Sequence, residues 1–158
     1  MLVTALVLSI LSLGLQVRSS KAVPFFDKYL RPAQISEFDY RVIQFNEQTM
    51  HEATEMRNGI GPPFIKKLSD DHKRLIVRIL VSEEDLPTGF DARKKALEYA
   101  AIAAYCTAAN SFDLECTTDA ARSVISVEFI GIRASAKAGK GQETKPYAEY
   151  VNGELVFH

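Results

Sequence analysis

Between Glu98 and Cys116 the chain reads EYAAIAAYCTAANSFDLEC, and this run constrains the fold more than any other. Alanine is the strongest helix former, and Glu98 is the last charged side chain before Asp113. The pattern predicts a helix opening at Asp91. Leu97, Ala100, Ala101, Ala104, Tyr105 and Ala108 share one face; Tyr99, Ile102 and Cys106 share another. So little of its circumference is polar after Glu98 that deep packing is expected.

Residues after this helix read as strands. SVISVEFIGI (Ser123–Ile132) alternates, with Ile125, Val127 and Phe129 on one face. ASAKAGKGQETKP reads as a flexible basic loop. YAEYV-NG-ELVF then gives a hairpin, because Asn152-Gly153 tolerates the positive φ of a type I′ turn.

Upstream, VPFFDKYLRPAQ is a proline-bounded, aromatic lead-in. A helix is expected from Ser36, with Ile35, Phe38, Val42, Phe45, Thr49, Ala53 and Met56 on one face. Ser36 and Asp39 form a capping box, and Asn58-Gly59 is a stop signal. A second helix is expected over about Phe64 to Val81, where Leu68, Leu75, Ile76 and Ile79 share a stripe; RLIVRIL alone also reads as a short strand. SEEDLPTG then makes an acidic turn. The fold class is α+β or a partial α/β: N-terminal helices, then a short strand and a C-terminal β-hairpin. The chain divides at about Pro87–Gly89. There are no internal repeats, and 158 residues suffice for one domain with a core.

Leu2–Val17 carries no charge and precedes Ser20 and Ala22, which suit cleavage after Ala22. Residues 1–22 are therefore read as a signal peptide, with an uncleaved anchor as the alternative. Cleavage removes Arg18 and Lys21 and no acid, so the net charge moves from −1 to −3. That balance argues against nucleic acid as the main partner. No second long apolar run follows, so no membrane span is expected after leader removal. A secreted, extracellular location places Cys106 and Cys116 in an oxidising compartment, which favours one disulfide over a reactive thiol.

Several constellations touch on chemistry. HEATE (His51–Glu55) resembles half of a zinc motif, with Glu55 where a second histidine would stand; a solvated helix face is the simpler reading. A metal enzyme using His51, Glu52, Glu55 or His72 is the least favoured reading. SDDH (Ser69–His72) suits a helix start better than a metal or acid–base cluster. SEEDLP lacks the spacing of a calcium loop. AGKG (Ala138–Gly141) fails as a phosphate loop, since Ala134 stands where a glycine is required. Across Gly131–Pro146 four basic residues face one acidic, a modest patch without interleaved aromatics. A Cys-His pair from Cys106 or Cys116 with His51, His72 or His158 is not selected by spacing, and no G-x-S-x-G occurs. No catalytic, cofactor-binding or metal residue is assigned.

Three segments carry a resemblance. YAAIAAYC (Tyr99–Cys106), DLEC (Asp113–Cys116) and the hairpin YAEYVNGELVF (Tyr147–Phe157) resemble, in order and type, the opening of the secreted fungal class 3 lipases, which are α/β-hydrolases. The resemblance covers residues 91–158 and implies that residues 23–90 are a helical pro-like segment. In the family an R-G-[ST] follows the hairpin and helps to form the oxyanion hole. The serine elbow, acid and histidine lie further on, and His158 inherits no role. The family also pairs its A-Y-C cysteine with a distant one, so a bond between Cys106 and Cys116 would depart from it. A triad hydrolase needs nucleophile, base, acid and oxyanion hole on one rigid sheet.

Two expectations follow. The first is a truncated lipase-like secreted protein without ester or triacylglycerol hydrolase activity of its own, meeting a lipid or ester substrate only if completed by a C-terminal region. The second is a small secreted single-disulfide interaction protein (effector, toxin or inhibitor) with an α+β fold and an unknown protein partner. Neither calls for a cofactor.

Overall fold

The computed structural model describes residues 24–30, 32, 36–52, 56–133 and 143–158, with His51 and Glu52 described by backbone alone. The expected leader, Ile35, Ala53–Glu55 and the AGKG segment lie outside these residues.

A 3-10 turn, Phe25–Tyr29, precedes helix α1 (Glu37–Glu52). Strands β1 (Ile60–Leu68) and β2 (Leu75–Ser82) follow, then helix α2 (Phe90–Ser111) and the short helix α3 (Asp119–Val124). Strands β3 (Ile125–Arg133), β4 (Glu143–Val151) and β5 (Glu154–Phe157) end the order. The class is α+β, with one five-stranded mixed sheet in the order β1-β2-β3-β4-β5. β2 and β3 pair in parallel; the other neighbours are antiparallel. A parallel pair needs a crossover, and α2 with α3 supplies it.

The start of α1 follows its sequence. The Asp39 amide donates to Ser36 Oγ at 3.1 Å, and Ser36 Oγ donates back to the Asp39 carboxylate at 2.6 Å. Phe38, Phe45 and Thr49 are buried, as the periodicity requires. The expected helix over Phe64–Val81 does not form; these residues are β1, a turn and β2. Two causes act together, while Pro62 and Pro63, which precede this span, are tolerated in β1 because it is an edge strand. Ser69–Arg74 closes a tight turn, with His72 at φ 56° and the Ser69 amide donating to the Arg74 carbonyl. Leu75, Val77, Ile79 and Val81 then alternate into the core, so the period is two. β1 and β2 thus share a sheet with the strands that follow residue 90.

Helix α2 starts one residue before the expected Asp91 and buries Leu97, Ala101, Ala104, Tyr105, Ala108 and Ala109. It is not packed all round: Tyr99 is 80 % exposed and Ile102 48 %. Its small residues instead let one face lie close to the sheet. At its end Phe112 is enclosed by the rings of Phe26, Tyr29 and Phe38 at 5.3–5.5 Å, where the ring pairs are Phe26–Phe112, Tyr29–Phe112 and Phe38–Phe112. The Tyr29 hydroxyl donates to the Phe112 carbonyl at 3.0 Å. That cluster ties the lead-in to α1 and α2.

The strand residues of the core are Ile65, Leu75, Val77, Ile79, Val81, Ile125, Val127, Phe129 and Ala148. They belong to one face of the sheet. The hairpin turn is as expected, with Asn152 at φ 52° and Gly153 at 87°. No described helix is long and apolar enough to cross a membrane.

Candidate functional site

Cys106 and Cys116 form a disulfide, with Cα atoms 4.9 Å apart. It joins the last turns of α2 to the loop before α3. The neighbouring Tyr105 hydroxyl donates to the Cys116 carbonyl at 2.9 Å, and burial raises the pKa of that phenol. These cysteines act as a tether, and neither thiol remains for a Cys-His pair.

The histidine candidates separate. His72 sits in the β1–β2 turn, not at a helix start, with its Nδ1 3.2 Å from Asp27 Oδ1. Asp71 accepts from the Ser69 hydroxyl and the Lys73 amide, and these bonds hold its carboxyl below the ordinary value. SDDH therefore shapes a turn. The side chains of His51 and Glu52 and all of Glu55 lie outside the description. Among the described residues no His, Cys, Asp and Glu group is placed to hold a metal ion. In SEEDLP, Glu83 meets Arg133 at 2.8 Å and Lys145 at 3.0 Å. The Arg133 guanidinium first, then Lys145, lowers the pKa of that carboxyl. This knot ties the ends of β2, β3 and β4.

The most distinctive surface lies on the sheet face opposite the core. The registers bring Arg78 of β2 opposite Glu128 of β3, and Glu128 opposite Glu149 of β4. Arg78 Nη2 donates to Glu128 Oε2 at 3.1 Å. Ile130, Pro146 and His158 join them around a hollow of about 460 Å³. His158 is placed by its backbone, whose amide donates to the Tyr147 carbonyl at 3.0 Å. One irregularity lies beside this row. Ile130 pairs with Pro146 but Phe129 pairs with Ala148, so β4 holds one extra residue, Tyr147. Beyond the bulge Ala148 faces the core and Glu149 the open face.

The same face carries a second, apolar recess of about 390 Å³ beside β1, lined by Met50, Met56, Pro62, Phe64 and Leu80 among others. Its one polar side chain, Asn46, is engaged. It accepts from the Ile65 amide at 2.7 Å and donates to the Ile65 carbonyl at 3.3 Å, so α1 caps the free edge of β1.

Sequence reasoning did not assemble Arg78, Glu128, Glu149 and His158. Each is an isolated polar residue, three of them on strands, and only strand register joins them. Compared with protein-family models, curated proteins and solved structures, the chain matches none.

Proposed function

We propose that this chain is a small secreted interaction protein with one disulfide, without ester-hydrolysing activity of its own. One observation carries the reading: residues before and after position 90 build one sheet and one core, and the disulfide packs against that core. A unit of this kind presents a surface on a rigid sheet. The exposed side of that sheet, with charged groups set among Phe64, Leu80 and Ile130, is the surface it offers.

The lipase-like reading is the competitor. What supports it is the order in the chain of an alanine-rich helix, a cysteine loop, a short helix, a strand and a hairpin. It requires residues 23–90 to be a separable pro-segment, and it gives Cys106 a different partner.

Two measurements separate these readings. Thermal unfolding followed by near- and far-UV dichroism is expected to give one coincident transition; two transitions, one for each side of residue 90, would support the pro-segment. Purified protein is expected not to hydrolyse p-nitrophenyl esters, and turnover above a boiled control would overturn the proposal.

A further inference from the structure

We infer that the free edge of β5 pairs with β5 of a second copy of this chain, antiparallel about a two-fold axis at Val156, so that one sheet runs through both copies. The inference goes beyond the interaction reading, since it concerns the edge of the sheet and holds whatever the open face binds.

The two edges of this sheet differ. β1 carries Pro62 and Pro63, and its backbone at Ile65 is taken up by Asn46 of α1. β5 is the other edge, and among the described residues nothing pairs with its outer side. The segment ELVF holds no proline and no lysine, and its register with β4 runs without a bulge. Those are devices by which folds keep an edge from pairing.

One bond shows which backbone groups are free. The His158 amide donates to the Tyr147 carbonyl, so it points into the sheet. In an antiparallel ladder the groups of every second residue point the same way. Those of Val156 and Glu154 therefore also point inward, toward their partners Glu149 and Val151. The N–H and C=O of Leu155 and of Phe157 point outward, away from β4. A second β5 satisfies all of them in one register alone. Leu155 of each copy then lies opposite Phe157 of the other, and each such pair exchanges both backbone hydrogen bonds. Sliding by two residues in either direction sets Leu155 or Phe157 opposite itself and strands the other residue.

The side chains agree with that register. Val156, 47 % exposed, meets its own copy across the axis on the open face, where a non-hydrogen-bonded pair brings side chains closest. Glu154 falls opposite His158 of the second copy on the same face, a carboxylate acceptor against an imidazole N–H. On the core side Phe157 falls opposite Leu155 of the second copy. Phe90, 65 % exposed, has its ring 5.3 Å from that of Phe157 and extends this apolar contact. Each contact made by one copy is returned by the other, as a two-fold interface requires. β5 is only 4 residues long, so the association is weak and depends on concentration.

The test is sedimentation equilibrium of the purified protein from micromolar to millimolar concentration, with isotope-filtered NMR of mixed labelled and unlabelled copies. A monomer–dimer equilibrium is expected, with contacts between Leu155 of one copy and Phe157 of the other. Val156→Asp sets two carboxylates against each other at the axis and is expected to weaken the dimer by about tenfold or more. Ile102→Asp, at an exposed apolar position on α2, is expected to leave it unchanged. His158→Glu is expected to weaken it by setting an acid opposite Glu154, and Glu154→Lys combined with His158→Glu to restore it. That exchange leaves Val156 in place, so it decides the question if Val156→Asp fails to fold. A monomer at every concentration overturns the inference. So does a dimer that Val156→Asp leaves intact or that Ile102→Asp weakens equally. Assemblies that grow without closing overturn it too, because a two-fold pairing uses up the edge. Ester turnover and the unfolding transitions are measured separately, so failure of this inference and failure of the interaction reading are distinguishable.

Discussion

Reduction of the Cys106–Cys116 bond tests whether the tether stabilises the fold chiefly by restricting the unfolded chain. The bonded residues are 10 apart in sequence. Closing a loop of that size removes about 9 cal/mol/K from the unfolded chain, or about 2.7 kcal/mol at 25 °C. Unfolding entropy is about 2.1 cal/mol/K per residue, so roughly 120 ordered residues give about 0.25 kcal/mol/K. Reduction is therefore expected to lower Tm by about 10 °C. The folded state should change little, because the Tyr105 hydroxyl still holds the Cys116 carbonyl and α2 still packs by its alanine face. Urea unfolding should then show a larger m value, since the reduced unfolded chain exposes more surface. Comparing oxidised and reduced forms of one sequence avoids the packing lost on substitution, as both cysteines touch the core. Intact mass should rise by two hydrogen atoms on reduction. A Tm change under about 3 °C would refute the loop argument. So would thiols in the unreduced native protein that react with Ellman's reagent.

Three other perturbations probe separate parts of the fold. Asn46→Ala removes both hydrogen bonds to Ile65, at about 0.5–1.5 kcal/mol each, and frees the β1 edge; urea titration should register about 1–3 kcal/mol, with aggregation rising at high concentration. Gly59→Ala should destabilise more than Gly89→Ala in the same assay. Both glycines have positive φ, but a Cβ at Gly59 lies 2.7 Å from the Ser82 carbonyl oxygen, whereas nothing lies within 4 Å at Gly89. Glu83→Gln tests the knot with Arg133 and Lys145. The folded-state pKa of Glu83 is lowered, so its contribution is present above the ordinary value of 4.5 and is lost as pH falls through the folded value. The stability gap between wild type and Glu83→Gln should be full at neutral pH and close in acid; a gap that widens in acid would contradict the sign.

The parts of this fold that were legible in the sequence are those whose signal is local. Ser36 with Asp39 caps α1, Asn152-Gly153 makes its turn, and the alternation of Ile125, Val127 and Phe129 marks β3, because each depends on residues within a few positions. β1 and β2 were obscured for a physical reason. A strand beside a parallel neighbour carries apolar residues on both faces, so LIVRIL satisfies helical and strand spacing together. The Ser69–Arg74 turn was the stronger signal, because it reverses the chain in the middle of that span. The exposure of Tyr99 was hidden similarly: alanine permits close packing on one side and does not require it on the other. The candidate site was least legible of all. Glu128 and Glu149 meet only through the β3–β4 register, and a shift of one position would send Glu149 to the opposite face. Neither glutamate is unusual where it stands in the chain. The property that marks them, a shared face at cross-strand distance with Arg78 beside Glu128 at one end of the row, belongs to the register. A search of the sequence for motifs has no access to that register until the sheet is assembled.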